Sequence, residues 1–314
     1  MKSLPLYIFI LILLIAASSM LGAAHLSWNE LWQSPIFLNL RLPRIVLCVL
    51  AGAALSISGA SYQAIFRNSL TDPYVLGISS GASLGAAIAI VAGLQYSLPG
   101  IGGCALLSAL ATVWIIYRIA TIGNRLHSTT LLLTGVCLTF LISALVSLLM
   151  VLHQDKMERI IFWTMGSFAS ATWNSVLTLL PIVALGVLVV LHHSRDLNLL
   201  LVGAEAAQSM GVEVEKVKKR LLLATTFMVA FTVSCSGVIG FVGLVVPHCV
   251  RLMVGPDNRR VLPYSIVLGA IFVLLCDTLA RTVAQPGEMP VGSLTALVGA
   301  PLFIYLLYRS KQSL

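Results

Sequence analysis

Apolar stretches of the length a helix needs to cross a hydrocarbon core, about 20 residues, alternate along the chain with short polar segments. Ten lie near residues 4–24, 44–64, 74–93, 100–118, 129–152, 174–193, 221–236, 239–254, 262–281 and 292–308. The pattern predicts an all-α, polytopic membrane protein of about ten transmembrane helices, a single membrane domain over 1–314. The eighth stretch is punctuated by Gly240 and Pro247, which predicts a broken or cavity-lining helix. The first has Lys2, an apolar run and small residues at Ala23 and Ala24. That is the form of a signal peptide, and it is read as an uncleaved first helix.

The basic residues give an orientation. Of 19 Lys and Arg, Arg41, Arg44, Lys156, Arg159 and Arg281 fall on one side and the other 14 fall on the opposite side with both chain ends. The richer side is predicted to be cytoplasmic. Five helices per half would invert any internal duplication. A short echo links Arg67-Asn68, Pro73-Tyr74 and Gly81-Ala82 to Asn258-Arg259, Pro263-Tyr264 and Gly269-Ala270.

Composition excludes a water-soluble globule: 59% of residues are apolar and 10% charged, and mean hydropathy is +1.00. The formal charge of +8 sits in clusters between apolar runs, as orientation in a bilayer requires, and does not indicate nucleic acid. Six cysteines stand singly, without zinc or redox spacing. No Gly-rich loop ends in Gly-Lys-Ser/Thr, so any ATP-driven activity needs another polypeptide to bind the nucleotide.

Several residues carry candidate chemistry. Gly77, Gly81 and Gly85 recur every four positions, which fits close helix packing or a pore-facing stripe. Gly77-Ile78-Ser79-Ser80-Gly81 matches a serine-hydrolase elbow, with His248 as its nearest histidine, but no strand precedes the serine. Asp277 is the main intramembrane carboxylate, open to an ion-coupled carrier reading. Arg281 at i+4 favours a structural pair. The longest intracellular hydrophilic segment, about 194–220, holds Glu205-Ala206-Ala207-Gln208-Ser209-Met210, a short helix former stopped by Gly211. It reads as a connecting helix or as a docking element whose small alanines and methionine fit a groove on a soluble partner. Outside, Arg41, Arg44 and Arg281 can gather at a mouth, as lipid anchors, local ion pairs or receptors for an acidic protein face.

Together these segments resemble the permease subunits of bacterial ferric-siderophore, haem and cobalamin ABC importers. The resemblance runs from Arg41 to about Leu307 and rests on Arg41-Leu42-Pro43-Arg44, on Gln63 through Arg67-Asn68-Ser69-Leu70 to Leu76-Gly77, and on Gly240-Phe241-Val242-Gly243-Leu244 to Pro247-His248. It continues through Asp277, Ala280-Arg281, Glu288-Met289-Pro290-Val291-Gly292 and Gly299-Ala300-Pro301. Ser69 departs from the family's proline and leaves that turn less rigid. The resemblance implies a type II ABC importer permease in the inner membrane, with two inverted halves and no catalysis or bound cofactor of its own. Two ATPase subunits would carry ATP and Mg, beside a second permease copy or close paralogue and a periplasmic or lipid-anchored substrate-binding protein. It assigns ATPase coupling to Gly203, Glu205, Ala206, Ala207, Met210 and Gly211, and binding-protein docking to Arg41, Arg44 and Arg281. Ser128 and Thr129 resemble a cytoplasmic gate, and Gly77, Gly81 and Gly85 are assigned to the path. The cargo expected is a ferric siderophore or haem, with cobalamin as the alternative.

Overall fold

The computed structural model describes residues 4–21, 34–94, 100–122, 125–283 and 287–311. Among these, thirteen α-helices follow one another: α1 Leu4–Met20, α2 Leu42–Ile65, α3 Ile78–Val91, α4 Gly100–Ala120, α5 Ser128–Leu152, α6 Met157–Thr164, α7 Trp173–His192, α8 Ser194–Val202, α9 Ala204–Ser209, α10 Val214–Ser236, α11 Val242–Val254, α12 Asn258–Ala280 and α13 Val291–Lys311. A π-helical turn, Phe37–Arg41, leads into α2, and a 3-10 turn, Pro73–Leu76, leads into α3. The only strands described are a two-residue antiparallel pair, Thr121–Ile122 (β1) with Arg125–Leu126 (β2).

Each of the ten predicted stretches coincides with a helix: α1 to α5, α7 and α10 to α13. Phe37–Ile65, Gly100–Ala120, Ser128–Leu152, Trp173–His192 and Asn258–Ala280 are both long and apolar enough to cross a membrane unaided. α1, α3, α11 and α13 are apolar over a shorter length. α10 starts seven residues before its apolar stretch because Glu215 to Arg220 wind on as helix. The break predicted in the eighth stretch lies at its start. Residues 237–241 are non-helical and α11 begins only at Val242, while Pro247 is accommodated within it.

α2 is the axis of the bundle. Its run of Ala, Gly and Ser is buried from Ala51 to Ala64, and small side chains let neighbouring backbones approach where lipid offers no competing hydrophobic drive. A Cβ on Gly52 would stand 2.9 Å from the Cα of Ala270 in α12, and one on Gly59 would stand 2.5 Å from the Cα of Gly243 in α11. α2 thus packs on α11 and α12, as α10 packs on α3 and α4. α2 to α5 correspond in this way to α10 to α13. α2 runs toward α8 and α9, whereas α10 starts from them, so the halves have inverted topology. The sequence echo does not trace this inversion. α3 and α12 both start at the α8–α9 end and run the same way, and the counterpart of α3 is α11.

α1 belongs to the packed bundle. It lies against α12, where Ser18 Oγ is 3.0 Å from Thr278 Oγ1 and Tyr7 meets Tyr264 edge-on. The turn after α2 is held without the family's proline. Asn68 Oδ1 accepts from Leu70 N at 2.9 Å, and Asp72 Oδ1 accepts from Tyr74 N at 2.8 Å; both are side-chain turns of the Asx kind.

Candidate functional site

At the end of the bundle opposite α8 and α9, the three predicted arginines do gather, but around this chain's own acceptors. Pro43 in the first turn of α2 fixes the entry of the chain there. Arg44 turns its Nε and Nη2 onto Asp277 of α12 at 2.9–3.1 Å. Its Nη1 meets both oxygens of Glu288 at 3.1 and 2.9 Å. Arg281 Nε lies 3.5 Å from Asp277, and its Nη groups donate to the carbonyls of Ser18 at 2.7 Å and Leu21 at 3.1 Å and to the Ser18 hydroxyl. Arg41 donates to the carbonyls of Ser19 and Met20 at 2.9 and 3.3 Å. Arg41 and Arg281 therefore donate to carbonyls at the C-terminal end of α1, which have no N–H donor within the helix.

All three arginines are buried, and Asp277 is 0% exposed. Local ion pairing, one of the readings left open by the sequence, describes the isolated subunit. Asp277 serves as a structural counter-ion, with Arg44 from a distant helix in closer contact than Arg281.

At the other end, α7 passes into α8 at His193, whose Nδ1 is 2.7 Å from Asp196. Leu197 and Leu200 of α8 are buried in the bundle. Gly203, at φ +151°, then swings the chain into α9, a backbone region open chiefly to glycine. Glu205, Gln208, Ser209, Met210 and Gly211 are exposed, but Ala206 is only half-exposed and Ala207 is fully buried. The expectation that both alanines face a partner is corrected at Ala207, which turns into its own chain because an α-helix returns to the same face every three to four residues. Gly211 ends the segment at φ +87°, as the C-terminal glycine stop predicts.

Sequence reasoning did not find Asn198. Its Nδ2 donates to Asp257 Oδ1 at 2.6 Å, and its Oδ1 accepts from Asn258 N at 2.8 Å. These bonds tie α8 to the turn between α11 and α12. With the amide of Arg259, the Asn198 bond holds the Asp257 carboxyl below the usual carboxylate range. No local sequence signal marks Asn198, since its partners are some sixty residues away.

Between the two ends, the glycine stripe resolves into packing. A Cβ on Gly81 would lie 2.9 Å from the Thr112 Cβ, and one on Gly85 would lie 2.8 Å from the Cys104 carbonyl carbon. Gly77, at φ +68°, ends the 3-10 turn beside Thr112 and Ile116. The stripe faces α4 of the same chain, which corrects its assignment to a path. The adjoining face of α3 carries Ser79, Ser80 and Ser83, which with Thr139, Ser143 and Ser147 of α5 line an open recess of about 340 Å³. Ser128 and Thr129 stand in the first turn of α5, half-exposed and exposed respectively.

The non-helical link before α11 and the first turn of α11 are fastened by two residues the sequence gave only as parts of motifs. Tyr74 Oη donates to the Ile239 carbonyl at 3.1 Å and accepts from its N–H at 3.2 Å. Gln63 Nε2 donates to the carbonyls of Gly243 and Leu244, each at 3.2 Å, and Gln63 Oε1 accepts from Arg251. Phe241, at φ +67°, packs over Gly299, a conformation rare for a bulky residue. The hydrolase reading gains no support. His248 stacks edge-on against Phe303 of α13, and among the described residues no hydrogen bond joins it to Ser79.

The comparisons with known proteins agree with this architecture. The model of the FecCD transport family matches residues 10–309. The chain is 44% identical over 269 residues to the cobalamin import system permease protein BtuC of Halobacterium salinarum, covering 86% of this chain and 72% of the relative. It is 40% identical over 323 residues to the hemin transport system permease protein HmuU of Yersinia pestis, covering 97% and 95%. A solved inward-facing structure described as of metal-chelate type among ABC transporters superposes with a TM-score of 0.90 at 34% identity, over 98% of this chain and 99% of the other. With this match along nearly its whole length, and with inverted halves built on a helix of small residues, the chain belongs to the FecCD transport family and has the fold of an ABC importer permease.

Proposed function

We propose that this subunit forms the membrane passage of an ATP-driven importer of ferric siderophores or haem, in the cytoplasmic membrane with α8 and α9 inside the cell. One observation carries the reading: nearly the full chain aligns with permeases named for hemin and cobalamin import. The orientation rests on the basic residues of the α8–α9 end, Lys216 to Arg220 with Arg259 and Arg260. Two ATPase subunits would seat against the exposed part of α9, a second permease would complete the passage, and a soluble binding protein would dock at the arginine end. ATP acts on such a machine only by binding its ATPase dimer differently in the inward- and outward-open states.

Cobalamin is the second reading, favoured by the 44% identity to a cobalamin permease. Proteoliposomes holding the permease, its ATPase and its binding protein test both readings. Haem, a ferric siderophore and cyanocobalamin are offered separately with ATP inside. Accumulation of haem or the siderophore supports the first reading, and accumulation of cyanocobalamin alone selects the second. Accumulation of none, or uptake by the permease alone on an ion gradient, rejects the importer.

A further inference from the structure

The arginine cluster contains two carboxylates in unequal situations. Asp277 is fully buried and holds the side of the Arg44 guanidinium. Glu288 holds the opposite nitrogen, Nη1, and its side chain is 43% exposed. It stands on the short link before α13, which is tied to α12 by the bond from Met289 N to the Ala280 carbonyl at 3.0 Å.

We propose that Glu288 is a resident stand-in for a carboxylate of the soluble binding protein, occupying the outer nitrogen of Arg44 until an acidic partner face displaces it. This rests on the docking reading above. Three arguments support it. Removing Glu288 leaves Arg44 oriented, because Asp277 retains Nε and Nη2. The cluster holds three guanidiniums against two carboxylates, so the mouth is cationic with Glu288 seated and more so once it leaves. An ion pair with one partner nearly half in water is weakly held and screened by salt, so an incoming carboxylate that loses water on docking competes on favourable terms.

Exchange makes Glu288 a brake on docking, and a brake has a sign. In nanodiscs, the permease–ATPase complex is presented with its cognate substrate-binding protein, and association is followed by interferometry for wild type, Glu288→Gln and Glu288→Ala. Both variants are expected to associate about 3- to 10-fold faster, with a steeper dependence on salt. Association unchanged or slower in both variants would overturn the proposal, by making Glu288 a brace for the link or a docking acid in its own right. Thermal unfolding of the same samples identifies the brace, since only then does the midpoint fall. Ionic strength separates this failure from that of the docking reading. Wild-type association indifferent to salt between about 50 and about 500 mM removes electrostatic docking altogether. Salt-sensitive association with no gain in either variant removes only the role of Glu288.

Discussion

Replacing Gly59 by alanine tests whether backbone contact between α2 and α11 holds the bundle. The added Cβ would lie 2.5 Å from the Gly243 Cα and closer still to that residue's carbonyl. Both obstacles are backbone, so no side chain can rotate away, and the helices must part by roughly 1–1.5 Å to restore an ordinary contact. Parting strains the bonds from Gln63 to the carbonyls of Gly243 and Leu244 and the one from Arg251 to the Ala60 carbonyl. Overpacking costs about 1–3 kcal/mol, and loosening two or three buried hydrogen bonds adds about 1 kcal/mol for each. The expected loss is about 3–6 kcal/mol. Denaturant unfolding of the purified subunit in detergent, followed by tryptophan fluorescence, reads the change. Gly240→Ala is the control, because a Cβ there meets nothing within 4 Å. If Gly59→Ala unfolds with Gly240→Ala at the wild-type midpoint, close contact at this crossing is not what holds α11.

Four further predictions follow from the two ends of the bundle. Asp277→Asn leaves Arg44 and Arg281 buried without their shared counter-ion and is expected to destabilise the subunit by about 3–5 kcal/mol; an unfolding midpoint equal to wild type would contradict the pairing. Asn198→Ala removes both ties between α8 and the α11–α12 turn, about 1–2 kcal/mol, so amide exchange over 194–202 should quicken while α2 stays protected. Equal exchange in the two proteins would show the ties to be inert. Met210→Glu, at a residue 52% exposed, should abolish co-purification with the ATPase at unchanged thermal stability, and persistence of the complex would remove α9 as the contact. Ala207→Trp should instead destabilise the subunit itself by about 1–3 kcal/mol.

The helices were legible because bilayer length and apolarity are local properties: every predicted stretch became a helix, with ends displaced by a few residues. Those displacements have local causes of another kind. The basic residues before Leu221 favour helix once α10 can carry their charges beyond the apolar layer, and Asp257 caps α12 upstream of its apolar run through Arg259 N. Gly203 and Gly211 were legible for a similar reason, since positive φ at an element's end is a demand glycine meets on its own.

Facing was not legible. The stripe of Gly77, Gly81 and Gly85 has the same spacing whether it meets α4 or an aqueous passage, and only the position of Cys104 and Thr112 selects the first. Ala206 and Ala207 are adjacent and alike in chemistry, yet rotation about the helix axis buries one and leaves the other half in solvent. The gathering of Arg41, Arg44 and Arg281 at one end was foreseen from the topology of the spans. So was the pairing of Arg281 with Asp277 at i+4, but the partners of Arg44 were not, because Asp277 and Glu288 lie more than 230 residues from it.

Sequence by itself determined the solvent and the number and order of the ten apolar helices. Each of these follows from composition summed over windows of about 20 residues. Tertiary structure alone decided which face of each helix is covered, which carboxylate answers which arginine, and that α11 mirrors α3. Those choices are made by backbones approaching across glycine and by ion pairs closed between distant segments, and neither is encoded in any window of the chain.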